Sequence, residues 1–418
     1  MGRKNVVTRF FGALGPGLIT GAADDDPSGI ATYSMAGAKL GTGMLWTALL
    51  TWPLMAAVQM MCARIGMVTG MGLMRSLRKK FPKPLIVLIS LALFLANTIN
   101  VGADLLGMAD AAEMLVSVKA AFFVVLFGIV ITVTSVKCNY QQIARILKWL
   151  CLALFAYVIT GFIIKPEWNT VARDTVIPSL PHGHEAIAML VAILGTTISP
   201  YLFVWQASQE VEEEKAQGLN RVRLREGASQ EAINSRALDV GTGTFFSNLV
   251  MYFIILTTGF TLHRNGLTDI ETSKQAAEAL RPLAGGFAAG LYTIGIIGVG
   301  FLSIPTLAGS AAYAFAETFA WKQGLNEKPK AAWHFYTVFV ASMGAGMALY
   351  FLKVNPVKAL YWTAIINGIL APFLLVAIVI VASDSKLMKK QPSSLTARIC
   401  VGVTALLMFA AAAGMFIS

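Results

Sequence analysis

Apolar stretches of about 20 residues, the length that carries a helix across a bilayer, recur from end to end of this chain and are separated by short polar breaks. They predict eleven spans. The first runs from about Phe11 to Leu40, the second from Thr42 to Thr69, the third from Leu85 to Met108 and the fourth from Ala120 to Ser135. The fifth covers about Ile146 to Ile164, the sixth Glu185 to Glu210, the seventh Ala237 to Leu262, and the eighth Leu283 to Phe319 with a kink at Pro305. The ninth is near Trp333 to Leu352, the tenth Val357 to Ala382 and the eleventh Thr396 to Ile417.

Two spans depart from the pattern. The first carries Asp24-Asp25-Asp26-Pro27-Ser28-Gly29 in mid-segment, and the sixth is interrupted at Ser199-Pro200. A charged residue at mid-helix costs about 2.5–3.5 kcal/mol even on lenient insertion scales. Successive carboxylates there point to an unwound helix whose charge meets a cation inside the membrane. Asp followed by Pro is also a good helix start, so Asp26 reads both as the N-cap of the second half-helix and as a charged ligand. Adjacent helical residues point in different directions, which leaves Asp24 and Asp25 as vestibule or packing residues, Asp25 on the ion pathway. Five spans lead from the first break to the second, and five more end at the tenth span. That is the five-plus-five inverted repeat of many secondary transporters, with both breaks meeting near the midplane. Residues 1–165 form the first repeat, 185–383 the second and 395–418 an extra span, all in one transmembrane domain.

Composition agrees. Of 418 residues 56% are hydrophobic and only 13% charged, against about 25% in an ordinary soluble domain. The chain therefore reads as an all-α polytopic membrane protein whose partner is the lipid bilayer, with no loop long enough for a second domain and no cofactor. The net charge of +11 does not indicate nucleic acid, because the basic residues sit in short alternate loops. Arg3 and Lys4, the run from Arg75 to Lys83, Arg145 and Lys148, Arg221 to Arg225, Lys322 to Lys330 and Lys386 to Lys390 all fall on one side. Positive-inside then puts the N-terminus in the cytoplasm and the C-terminus outside, in the plasma (inner) membrane. No cleavable signal is read at the N-terminus. The segment from Glu210 to Arg236 is expected to be a solvated cytoplasmic connection of helix and loop. Cys62, Cys138, Cys151 and Cys400 form no CxxC and imply neither disulfide nor zinc framework. A monomer suffices for this reading, which leaves oligomeric state open.

The breaks offer the carboxylate of Asp26, hydroxyls at Ser28, Thr196 and Ser199, and carbonyls freed by unwinding, with room left by Gly29. An all-oxygen site suits Mg²⁺ or Ca²⁺, and Mg²⁺ keeps several waters. Mn²⁺ accepts the same ligands, and affinity order favours it over Mg²⁺. Asp104, near the end of the third span, lines the path and binds the ion's water shell, or is an extracellular helix-end charge; Asn97 and Asn100 share its face. Asn248 and Asn367 are lone amides that line a path or bond across helices, the latter for about 0.6 kcal/mol. His182, His184, His263 and His334 make no pair at metal-binding spacing.

Three stretches carry a family likeness. Asp26-Pro27-Ser28-Gly29 resembles the DPGN break of the Nramp divalent-metal transporters. Gly195-Thr196-Thr197-Ile198-Ser199-Pro200-Tyr201 falls where that family has its second break, ending Met-Pro-His, and Ala382 to Met388 is similar to the family's ending of the tenth span. The resemblance implies the amino-acid/polyamine/organocation superfamily fold, with metal held between spans one and six and the Thr196 carbonyl among the ligands. Gly29 stands where the family has a metal-binding Asn, Ser199 where it has a thioether Met, and Tyr201 and Gln206 where it has histidines of the sixth span. Val101 and Asp104 align with two acids used for proton movement, and the ninth span lacks the arginines of proton-coupled members. The pattern is similar to the Nramp-related magnesium transporters, which implies a roomier site and ion movement without protons. The alternatives are a proton-coupled Mn²⁺/Fe²⁺ symporter, a channel, and an intramembrane carboxylate enzyme, for which the sequence offers no nucleophile or phosphate-handling bases.

Overall fold

The computed structural model describes residues 20, 21, 23–137, 150–180 and 183–417. The opening of the first span, Arg3, Lys4, Cys138, Arg145, Lys148 and His182 lie outside them. Among the described residues there is no strand, and nine helical segments are long and apolar enough to cross a membrane.

In chain order the principal helices are α1 (Pro27–Leu40), α2 (Leu45–Thr69), α3 (Lys83–Glu113), α4 (Ala120–Lys137), α5 (Phe155–Ile163) and α6 (His184–Thr197). They continue with α7 (Pro200–Ala216), α8 (Gln230–Thr261), α9 (Ala288–Phe319), α10 (Trp333–Ala348), α11 (Pro356–Ser383) and α12 (Leu395–Ile417). The first span is thus broken before α1, and the sixth between α6 and α7. Both new helices begin with proline in the first turn, preceded by an extended residue: Asp26 (φ −69°, ψ 168°) and Ser199 (φ −82°, ψ 133°). Proline disfavours helical φ/ψ in the residue before it, so each X-Pro step ends one helix and starts the next.

Packing couples the two halves by exchange. α1, from the first span, lies against α8, the seventh span, while α7, from the sixth, lies against α2, the second. α3 and α9, the third and eighth spans, form the most extensive pairing of all. Shifting each span number by five maps the first contact onto the second and the third onto itself, as an inverted repeat requires.

Close approach depends on glycine where two backbones touch. A Cβ at Gly195 would lie 2.0 Å from the Ala364 carbonyl oxygen and 2.3 Å from Gly368 N, both backbone atoms that cannot rotate away. Gly195→Ala is therefore expected to lower stability by at least about 1–3 kcal/mol, the usual cost of overpacking. Thermal unfolding in detergent checks this against Gly290→Ala, where no atom lies within 4 Å of the added carbon.

Three sequence expectations need correction. The third span does not end near Met108: α3 runs to Glu113 through a polar last turn that the apolar pattern misses. The seventh starts at Gln230, well before Ala237. The connection from Glu210 to Arg236 is helix and loop and largely exposed, as expected, but not throughout: α7 extends to Ala216, and Glu210, Glu212 and Arg225 are buried. α9 continues through Pro305 without interruption.

Candidate metal centre

The first break is built on Asp26. Its Oδ1 accepts from the Gly29 N–H at 2.6 Å, capping a backbone donor that the start of α1 would leave orphaned, and from the Ser28 hydroxyl at 2.8 Å. Its Oδ2 accepts from Asn100 Nδ2 at 3.1 Å. The second break is stabilised from the opposite end. Ser199 makes no side-chain cap to α7; its hydroxyl lies 2.7 Å from the Gly195 carbonyl and 2.8 Å from that of Thr196, at the C-terminus of α6. The Thr196 carbonyl thus meets the Ser199 hydroxyl, with its second lone pair left for another donor or a cation.

The breaks face each other. A Cβ at Gly29 would sit 3.0 Å from Thr196 Oγ1 and 3.3 Å from Asp26 Oδ1, so Gly29 is the point where hydroxyl and carboxylate of the two broken spans converge. Tyr201, in the first turn of α7, donates its hydroxyl to the Ala23 carbonyl at 3.1 Å and closes the contact from the other direction.

Asn100 joins the break to α3 and α11. Its Nδ2 is shared between Asp26 Oδ2 and Asp104 Oδ2, the latter at 3.2 Å, and its Oδ1 accepts from Asn367 Nδ2 at 3.2 Å. Ser303 Oγ lies 3.5 Å from Asp104 Oδ2. Asp104 is fully buried with two more turns of α3 beyond it, so it is not the extracellular helix-end charge that its place in the apolar run allows. Asn97 donates to the Leu307 carbonyl at 3.1 Å.

Not every candidate joins this group. Gln206 donates to Glu210 at 2.7 Å, one turn along α7. Asn248 accepts from Thr51 at 2.7 Å and donates to the Thr244 carbonyl at 3.0 Å, bonding α8 to α2. Asp25 is held with Asp24 on α8: Ser247 Oγ lies 3.0 Å from Asp25 Oδ1 and 2.9 Å from Asp24 Oδ2. Ser247 and Ser303 escaped the sequence reading, since a lone serine in an apolar helix carries no distinguishing signal.

Chemically the centre is a closed set of oxygen acceptors. Asp26, Ser28, Asn100, Asp104, Thr196, Ser199 and Asn367 are all buried. Asp104 Oδ1, Asn97 Oδ1, Asn367 Oδ1 and Thr196 Oγ1 are buried with lone pairs that no described protein donor takes up within hydrogen-bonding geometry. A small hard cation is the partner such oxygens suit. Among the described residues no three His, Cys, Asp or Glu side chains gather into a metal-binding group, so any cation here relies on hydroxyl, amide, carbonyl and water oxygens beside the acids.

Comparison with known proteins places these features in context. The sequence profile of the Nramp family, described as natural resistance-associated macrophage protein-like, matches residues 17–418. A divalent metal cation transporter MntH of Caldanaerobacter subterraneus subsp. tengcongensis is 24% identical over 400 residues, 93% of this chain and 90% of that one. MntH of Yersinia pestis (strain Pestoides F) is 27% identical over 302 residues, 71% of each chain. Among solved structures, the Eremococcus coleocola manganese transporter superimposes with a TM-score of 0.79 at 14% identity, covering 99% of this chain and 89% of that one. Mhp1, a nucleobase-cation-symport-1 family transporter in a closed conformation, gives 0.54 at 15% identity over 96% and 92%. At such identities the structural likeness speaks for the fold.

Proposed function

The chain belongs to the Nramp family, and from that premise we propose that it carries Mg²⁺, and also Mn²⁺, into the cytoplasm by alternating access and without a coupled proton. It is a divalent metal cation transporter and not an enzyme; the choice of ion and the absence of coupling are the finer reading. Its two repeats are residues 1–165 and 185–383, and the basic loops put its N-terminus in the cytoplasm and its C-terminus outside. The ion sits between the breaks, held by Asp26, by hydroxyl or carbonyl oxygens of Ser28, Thr196 and Ser199 in the space beside Gly29, and by Asp104 through the ion's water shell. Asn97, Asn100, Asn367, Asp25 and Tyr201 line its path.

One observation supports a hard divalent ion, Mg²⁺ with Mn²⁺ beside it, over softer transition metals: the hydrogen-bond contacts of Asp26, Asn100, Asp104 and Ser199 in the described structure are made with oxygen and nitrogen atoms, with no sulfur or imidazole among them. Soft ligands select transition metals, and oxygen donors with retained water suit Mg²⁺.

The loss of titratable groups at the family's positions in the third and sixth spans weakens a proton path and supports uncoupled movement, although Asp104 remains. Tyr201 gives its proton to a backbone carbonyl, Gln206 is an amide, and Val101 packs 2.8 Å from the Cβ that Gly346 lacks. A potential of 100 mV drives each inward charge by about 2.3 kcal/mol, hence roughly twice that for a divalent ion, so coupling is not needed for accumulation. In proteoliposomes with a pH-sensitive dye inside, potential-driven Mg²⁺ uptake is expected to proceed with no acidification beyond the passive leak. Acidification that tracks Mg²⁺ entry would identify a proton symporter, with Asp104 as the surviving acid.

A further inference from the structure

On the basic-loop side, away from the breaks, lies a cavity of about 280 Å³. Three segments wall it: Gly70 to Arg75 beyond α2, the end of α7 with the loop to Arg225, and the end of α9 with the loop to Glu327. Its cations are Arg75, Lys215, Arg225 and Lys322. Basic residues on this side serve as topology signals, but a topology charge needs only to be solvated, and Arg225 is not: its side chain is 4% exposed. Gly70, at φ 63°, makes the room, since a Cβ there would lie 2.7 Å from Arg225 Cβ.

The charges are unevenly matched. Lys215 pairs with Glu212 at 2.7 Å and Lys322 with Glu327 at 2.8 Å. Glu317, on the cavity floor, is taken up by the Ser208 hydroxyl at 3.1 Å, Gln323 Nε2 at 3.0 Å and the Arg75 backbone N–H at 3.2 Å. That leaves the two guanidiniums. Arg225 donates Nε to the Gly70 carbonyl at 3.2 Å and Nη1 to the Leu219 carbonyl at 2.6 Å, with Glu214 no nearer than 3.8 Å. Its Nη2, and the whole guanidinium of Arg75, have no partner among the described residues. Burial holds the Arg225 guanidinium below its ordinary pKa; the Arg75 charge pushes the same way and Glu214 opposes it.

We propose that this cavity binds a phosphate or diphosphate group, held between the Arg75 and Arg225 guanidiniums with Asn220 beside them. Guanidinium forks match phosphate oxygens in two-point geometry. Small-molecule sites usually span about 300–1,000 Å³, so this cavity takes a phosphorylated end and leaves the rest of a larger ligand outside. Trp321, at the cavity wall, is itself stacked on Phe319 at 5.0 Å and on His334 at 4.6 Å. The bound anion ties together the three segments that wall the cavity, and so raises the stability of the protein.

The test uses the full-length protein in phosphatidylcholine nanodiscs, free of divalent ions, titrated with inorganic pyrophosphate while tryptophan fluorescence and melting temperature are read. Saturable binding and a raised melting temperature are expected. Arg75→Gln, an exposed position, weakens binding roughly ten- to a hundredfold, the effect of losing one charged hydrogen-bonding group. Its ion uptake without pyrophosphate stays at the wild-type level. In nanodiscs containing phosphatidic acid, stabilisation without pyrophosphate, lost again in Arg75→Gln, identifies a lipid headgroup as the source. No shift with either probe, or an equal shift in the wild type and Arg75→Gln, overturns the proposal. Neither readout depends on which metal the protein carries.

Discussion

Asp26→Asn is expected to reduce Mg²⁺ uptake into proteoliposomes to the level of empty vesicles while leaving the protein folded. The substitution separates two roles that Asp26 holds at once. As N-cap it needs only an oxygen acceptor for the Gly29 N–H, now 2.6 Å from Oδ1, and an asparagine carbonyl supplies one. As the ligand proposed here it needs a charge, which asparagine lacks. Its Oδ2 receives one described donor, Asn100 Nδ2, and a carboxylate oxygen has lone pairs for more. Asp26→Ala removes both roles: uptake is lost and stability falls by about a further 1 kcal/mol, the usual worth of a cap. Uptake by the asparagine variant close to wild type, with loss only in the alanine variant, would make Asp26 a structural cap and move the charged ligand to Asp104. Melting curves run beside the uptake assay keep misfolding from being read as loss of the site.

The chain shows why some features could be read in advance and others not. A proline and carboxylates inside an apolar run are locally anomalous, so the break at Asp26-Pro27 announced itself, and Ser199-Pro200 did so at the same place in the second half. Span ends were readable only where polarity changes with the helix. Past Met108 the residues Ala109 to Glu113 mix small and acidic types, and packing of α3 against α9, not hydropathy, carries the helix on. That extension turns Asp104 from a helix-end residue into a buried one. Lone amides divided by their partners, which a single sequence does not specify. Asn367 reaches Asn100 and so the centre, whereas Asn248 bonds α8 to Thr51 on α2. The charge-dense stretch after Glu210 was readable as largely solvated, but not its first acid: in an isolated segment an acid implies solvent, whereas here an arginine from the next helix allows Glu210 to be buried.

That arginine gives the second large effect. Arg236, near the start of α8, places Nε 2.9 Å from Glu210 and Nη1 2.6 Å from Asp239, and its Nη2 bonds Glu213. The Glu210 side chain is 2% exposed and that of Asp239 is fully buried, and Gln206 adds a bond to Glu210 at 2.7 Å. The pairing fastens α7 to α8 beneath the second break. Arg236→Ala is expected to destabilise the protein by about 3–5 kcal/mol, because it strips the shared cation from acids already taken out of water. Arg236→Lys recovers only part, since one ammonium does not span three carboxylates as the planar guanidinium does. If buried charge is the cause, combining Arg236→Met with Glu210→Gln and Asp239→Asn should restore most of the stability, as neutral replacement of a whole buried ion cluster is often tolerated. Residues in one such network do not combine additively, so the triple variant should melt above the single Arg236→Ala variant. A triple variant that melts as low as the single one would mean that α7 and α8 are aligned by the geometry of the guanidinium and not by the balance of charge.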